Sequence, residues 1–163
     1  MFPILSMIVL SPFLGAILIA FLGKQRPKLV RLVATITTSI SLLLSLYLLF
    51  IFDKQLSGYQ FLEKINIVES LGLSFTVGID GMSLVLVLLT AIIIFSGVFA
   101  SWTVKERDHE FYALLLILVT GVFGVFVSLD LVFFFLFYEL SVLPMYLLIG
   151  IWGSSKKIIP KGP

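Results

Sequence analysis

Glu139 is the only charged residue in the long apolar run Leu131 to Trp152, nine residues from its start. A charge near the middle of a bilayer costs roughly 3 kcal/mol on insertion scales, so such a residue faces a bundle interior with a partner, or is protonated. Desolvation favours the neutral carboxyl and a nearby cation favours the carboxylate. A group balanced between the two can take up and release a proton when its partner moves, which is what a step of proton transport requires. The other reading is a static hydrogen bond or ion pair that only orients helices. Pro144, five residues on, has no N–H, so the carbonyl of Leu140 loses its usual helical partner. That carbonyl could hold a water beside Glu139, or the proline could simply kink the helix for packing. Asp80, Asp130, Glu110 and His109 fall at the ends of apolar runs and read as caps or solvated groups, with Asp80 and Asp130 suited to helix N-termini.

The elements that must position these groups follow from composition. Of 163 residues, 60% are hydrophobic and 12% charged, and the mean hydropathy is +1.20. A soluble domain of this size could not hide so much apolar surface. Hydrocarbon about 30 Å thick needs about 20 apolar residues of helix. Five runs meet that length, with helices expected over about 3–22, 32–52, 81–104, 111–128 and 131–152. Backbone in lipid must satisfy its own hydrogen bonds, and the runs are too long and too uniformly apolar for barrel strands. The expected fold is therefore all-α and polytopic, a single membrane domain over 1–163 with five transmembrane helices. The last two runs are divided only by Asp130, so a tight helical turn is expected at Ser128-Leu129-Asp130.

The chain has no cysteine, which excludes disulfides and thiolate metal sites. Its net charge of +2 argues against nucleic-acid binding. The one histidine, His109, has no local partners with which to ligate a haem or a metal. Positive charge follows the first apolar run instead of preceding it, so that run reads as a retained helix and not as a signal peptide. Lys24, Arg26, Lys28, Arg31, Lys105, Arg107, Lys156, Lys157 and Lys161 fall on one side of the five-helix topology; Lys54 and Lys64 fall on the other. The positive-inside rule then puts the N-terminus outside and the C-terminus in the cytoplasm. In the outer loop 53–80, Ile65, Ile67, Leu73, Phe75 and Val77 are spaced by twos around Glu69-Ser70-Leu71-Gly72. That pattern suggests a short amphipathic β-hairpin on the membrane surface; an irregular loop is the alternative. Gly121 and Gly124, with Gly97 and Ser101, offer small faces for close helix packing. Tyr138 and Tyr146 are candidates for hydrogen bonds inside the bundle.

Several motifs together carry a resemblance. Gly78-Ile79-Asp80-Gly81-Met82-Ser83, Leu89-Thr90 and Ala100-Ser101-Trp102 resemble the third helix of the chain M (subunit 4) family of NADH–quinone oxidoreductase, respiratory complex I. Phe111-Tyr112 resembles the start of that family's fourth helix. Phe137-Tyr138-Glu139-Leu140, Pro144-Met145-Tyr146 and Gly150-Ile151-Trp152-Gly153 resemble its fifth. The resemblance implies a share in redox-driven proton pumping by a membrane-arm subunit in a bacterial inner membrane, a mitochondrial one fitting less well. It implies no cofactor in this chain, with NADH, FMN, iron–sulfur clusters and quinone handled by partner subunits. It matches Glu139 to the acidic position that pairs with a lysine on a later helix, and Pro144 to the nearby proline.

Family members continue through many more helices, whereas this sequence stops shortly after the fifth. The lysine-bearing helices are expected in another chain, if the subunit is split, or to be missing from a truncated one. The partners implied are lipid, the other membrane-arm subunits and a chain carrying those helices. A large subunit of a multisubunit cation/proton antiporter, and a non-pumping assembly scaffold, are the rival readings.

Overall fold

The computed structural model describes residues 3–153; the basic tail residues Lys156, Lys157 and Lys161 lie outside them. Five helices appear, α1 (Ile4–Leu22), α2 (Pro27–Ile51), α3 (Gly81–Ala100), α4 (Asp108–Val127) and α5 (Leu131–Trp152). All five are long and apolar enough to cross a membrane. Between α2 and α3 lie two antiparallel strands, β1 (Gln60–Val68) and β2 (Leu73–Ile79), so the fold is mostly but not wholly helical. The alternation read in the loop is a hairpin, closed by a 3-10 turn at Glu69–Leu71 and by Gly72 in the left-handed region at φ 67°.

Three helix boundaries differ from those expected. α2 starts at Pro27 instead of residue 32, because proline is well suited to the first turn, where no amide partner is needed. Lys28 and Arg31 therefore belong to the helix. α3 ends at Ala100 and continues as one 3-10 turn, Ser101–Thr103. α4 starts at Asp108 instead of 111, since its polar first turn is helical although not apolar.

Helix α4 is the centre of the packing. It lies against α1 and α5 and also touches α3 and α2, while α2 packs between α1 and α3. The main core gathers Leu5, Ile8 and Val9 of α1, Leu84, Val87 and Ala91 of α3, and Val119, Phe123 and Val127 of α4. In α2 the side buried in the bundle is hydroxylic: Thr37, Thr38, Ser41 and Ser45 each return a hydroxyl bond to the carbonyl one turn earlier. This satisfies the hydroxyls without water. Ser11 Oγ meets Ser41 Oγ at 2.8 Å, and a Cβ on Gly15 would stand 2.6 Å from Thr37 Oγ1, so α1 and α2 meet through small residues.

The two ends of the bundle are pinned differently. At the hairpin end, Leu129 N–H donates to the Thr76 carbonyl at 2.9 Å, tying β2 to the α4–α5 turn. Glu63 of β1 reaches the start of α1, where its carboxylate accepts from Leu5 N–H at 2.9 Å, Ser6 N–H at 3.1 Å and the Ser6 hydroxyl. Pro3, at the N-cap position, provides no such bond, so the strand supplies the cap from 58 residues away. At the other end, Arg31 Nη2 donates to the Val104 carbonyl at 3.3 Å, and Trp152 Nε1 donates to the Glu106 carbonyl at 3.1 Å. The basic connections thus gather at the end opposite the hairpin.

Candidate functional site

The site is built on α5, and α5 is held by its start and by one face. Asp130 Oδ1 accepts from Val132 N–H at 2.9 Å and Phe133 N–H at 3.2 Å, while Ser128 Oγ donates to the Asp130 carbonyl at 3.1 Å. The tight turn expected at residues 128–130 is thereby made. From there α5 returns antiparallel along α4. A Cβ on Gly121 would lie 2.6 Å from Ser141 N and 2.7 Å from the Phe137 carbonyl oxygen; one on Gly124 would lie 2.2 Å from Phe137 Cγ. These two glycines bring the backbones together, as small residues do between membrane helices. Gly97, by contrast, has open space where a Cβ would stand, so it makes no close seam among the described residues.

At about 100° per residue, Phe137 and Pro144 fall on one face of α5, and both are buried. Glu139 is about 200° from Phe137 on the same wheel, so it points away from α4. It is exposed, among Val142, Leu143 and Tyr146, the last two 61% and 75% exposed. It makes no hydrogen bond or ion pair among the described residues. These five helices alone therefore do not supply the bundle interior and partner expected of Glu139. The reason is geometric: α4 takes the glycine-facing side of α5, and no described element covers the opposite side. Pro144 sits on the packed side, about 140° round the helix from Glu139, within a helix that runs unbroken through it. Tyr138 and Tyr146 are also turned outward, 49% and 75% exposed, so neither hydroxyl enters the bundle.

The end-of-helix groups behave as caps or surface pairs. Asp80 Oδ1 accepts from Ser83 N–H at 2.7 Å. That backbone amide, and the Ser83 hydroxyl after it, hold the Asp80 carboxyl below its usual range. Glu110 pairs with Arg107, and His109 Nε2 stands 3.6 Å from Glu110 Oε1. Glu63 escaped sequence reasoning, because a cap from a distant strand leaves no local signal. Buried Asp108 was also missed; its Oδ1 accepts from His109 N–H at 2.8 Å. Two buried polar atoms, Arg31 Nε and Tyr112 Oη, have no hydrogen-bond partner among the described residues. No group of three or more His, Asp or Glu among those residues could hold a metal ion. An apolar cleft of about 420 Å³ separates α1 from α5 beneath the hairpin, lined by Leu10, Phe13, Phe75 and Leu136 among others; Glu139 is not part of it.

Five helices of spanning length, a hairpin pinning one end and a lone carboxylate deep in the last helix define a polytopic helical membrane protein whose last helix is covered by α4 on one side. No family model matches the chain. Curated relatives do: it is 39% identical over 157 residues to NAD(P)H-quinone oxidoreductase chain 4 2 of Trichodesmium erythraeum, covering 96% of this chain and 28% of that one. It is 37% identical to chain 4, chloroplastic, of Chara vulgaris, covering 96% of this chain and 32% of that one. Among solved structures, respiratory complex I from Thermus thermophilus with bound NADH aligns with a TM-score of 0.70 at 24% identity, over 89% of this chain and 29% of that chain. An archaeal membrane-bound sulfane sulfur reductase complex aligns with a TM-score of 0.76 at 20% identity, over 90% of this chain and 23% of that chain. The two structural likenesses establish the fold. The sequence likeness makes the chain a homologue of NAD(P)H-quinone oxidoreductase chain 4, as its motifs suggested. It spans less than a third of the length of those relatives.

Proposed function

We propose that this chain forms part of a proton-translocating membrane-arm subunit of an NADH–quinone oxidoreductase, and that Glu139 is a proton-transfer group on the face where the subunit continues. One observation carries the reading. Glu139 is the only Asp, Glu, Lys, Arg or His more than two turns inside any of the five helices, and it sits on the side of α5 away from α4, which the described residues leave open. Lipid against that face would leave a carboxylate with no compensation, at a cost of roughly 3 kcal/mol if charged. Protein against it turns the same position into a buried site whose protonation depends on what the covering helix presents. Pro144, on the opposite side of α5, would act through the helix and not on the proton itself.

In this reading the redox chemistry, with NADH, FMN, iron–sulfur clusters and quinone, belongs to partner subunits. The chain's own share is to hold and release a proton. The subunit lies in a bacterial plasma membrane, with the basic helix ends in the cytoplasm and the hairpin outside, following the positive-inside rule. The grouping of basic connections at the end opposite the hairpin supports that orientation. The test is Glu139→Gln in the assembled complex, which removes the charge and keeps the size. Proton translocation coupled to NADH oxidation should fall while the complex still assembles. Unchanged translocation would instead support a scaffold without a transport role.

A further inference from the structure

At the basic end, α2 and the end of α3 flank an open cleft of about 340 Å³ lined by Lys28, Arg31, Leu32, Thr35, Phe99 and Trp102. We infer that this cleft is a binding site for an anionic phospholipid, with the phosphate between Lys28 and Arg31 and an acyl chain along Leu32 and Phe99.

The lining is graded in the way an amphiphile is. Lys28, Arg31, Leu32 and Thr35 follow one face of α2 at helical spacing, so charge lies at the membrane surface, with Leu32 and a Thr35 hydroxyl satisfied by the Arg31 carbonyl beneath it. The α3 wall shows the same order. Trp102 stands at the interface, where tryptophan is favoured, with Phe99 and Phe95 below it at ring-centroid distances of 5.1 and 5.0 Å in turn.

The charges call for an anion. Lys28 and Arg31 lie three residues apart on one helix face, where like charges repel, and close to a helix N-terminus, where cations are disfavoured. Neither pairs with a carboxylate among the described residues, and the remaining residues of the chain contain no Asp or Glu. Arg31 Nη2 donates to the Val104 carbonyl at 3.3 Å, and no carboxylate among the described residues pairs with the rest of the guanidinium. A phosphate offers acceptors to a guanidinium in a geometry that a zwitterionic headgroup, with its own cation close by, satisfies less well. Basic pockets between membrane helices are where anionic headgroups bind.

The test places a photoreactive benzoylphenylalanine at position 32, on the cleft wall, in the full chain. The chain is reconstituted in vesicles of equal parts phosphatidylglycerol and phosphatidylcholine, and the lipid adducts are identified by mass. The same probe at position 43, an exposed site further along α2, reports the bulk lipid. Phosphatidylglycerol adducts should be enriched by up to roughly thirty-fold at position 32 over position 43, as expected for two cations at a membrane surface. Lys28→Gln together with Arg31→Gln should remove the enrichment. Lys28→Gln alone, which breaks no hydrogen bond among the described residues, should lower it, and Lys28→Arg should keep it. Bulk-like adducts at position 32, enrichment that survives loss of both cations, or crosslinks to another polypeptide would each overturn the proposal.

Discussion

Helices α4 and α5 have almost the same length and similar apolar composition, yet they are used in opposite ways. Nine of the twenty residues of α4 are buried, including Tyr112, Leu116 and Phe123, and the helix meets all four others. Only Phe137 and Pro144 are buried among the twenty-two of α5, which rests on α4 along one glycine seam. The carboxylate stands on the less buried helix, on its bare side. An ionisable group deep in an apolar helix is thus not by itself evidence of an interior. In the proposed reading it marks the side on which an interior is completed, because lipid compensates a charge poorly.

The contrast can be broken most severely at the seam. Gly124→Leu would drive a side chain into the Phe137 ring and part α5 from α4. Overpacking of this kind costs about 3 kcal/mol, and it should be read as lost assembly and faster proteolysis of the α4–α5 turn. An intact seam in that variant would mean that α5 is held by something other than α4.

A smaller effect is expected where an apolar helix is started by a carboxylate. Asp80→Ala should cost about 1 kcal/mol through the lost cap of α3, measured as faster amide exchange at Ser83. Because the bonded Asp80 carboxyl lies below its ordinary 3.8, its contribution is complete above that pH and fades as pH falls through the lower, folded value. Exchange at Ser83 should therefore be nearly independent of Asp80 in strong acid and differ most near neutrality.

The smallest effect is expected on the bare face. Leu143→Ala should leave the packing of α4 and α5 within about 0.5 kcal/mol, as for exposed positions generally, while weakening association with whatever covers α5. Comparing the exchange of α4 amides with the yield of assembled complex separates the two.

Much of this arrangement was legible in the residues. Length and apolarity marked the five spans, Asp130 marked the turn between the last two, and the alternation Ile65, Ile67, Leu73, Phe75, Val77 marked the hairpin. Gly121 and Gly124 read correctly as a packing face, whereas Gly97, of the same type in the same setting, has open space where a Cβ would stand. Orientation was the illegible part. Around α5 apolar residues occur on every side, so periodicity has no polar stripe to mark the outside, and the direction of Glu139 had to come from the helix that α5 rests on. The Glu63 cap on α1 was hidden for another reason. Contacts across 58 residues depend on the register of a hairpin pinned at both ends, and no short motif encodes that. The start of α2 at Pro27 was masked by Lys28 and Arg31, whose charge hides a helical turn lying at the membrane surface.

The central claim is that Glu139 changes protonation during turnover, and infrared difference spectroscopy of the assembled complex before and after NADH addition tests it most directly. A carboxyl C=O band should appear or shift on reduction and be absent from Glu139→Gln. A difference spectrum in which that variant matches the unmodified complex would show that Glu139 holds one protonation state throughout, and would contradict the account.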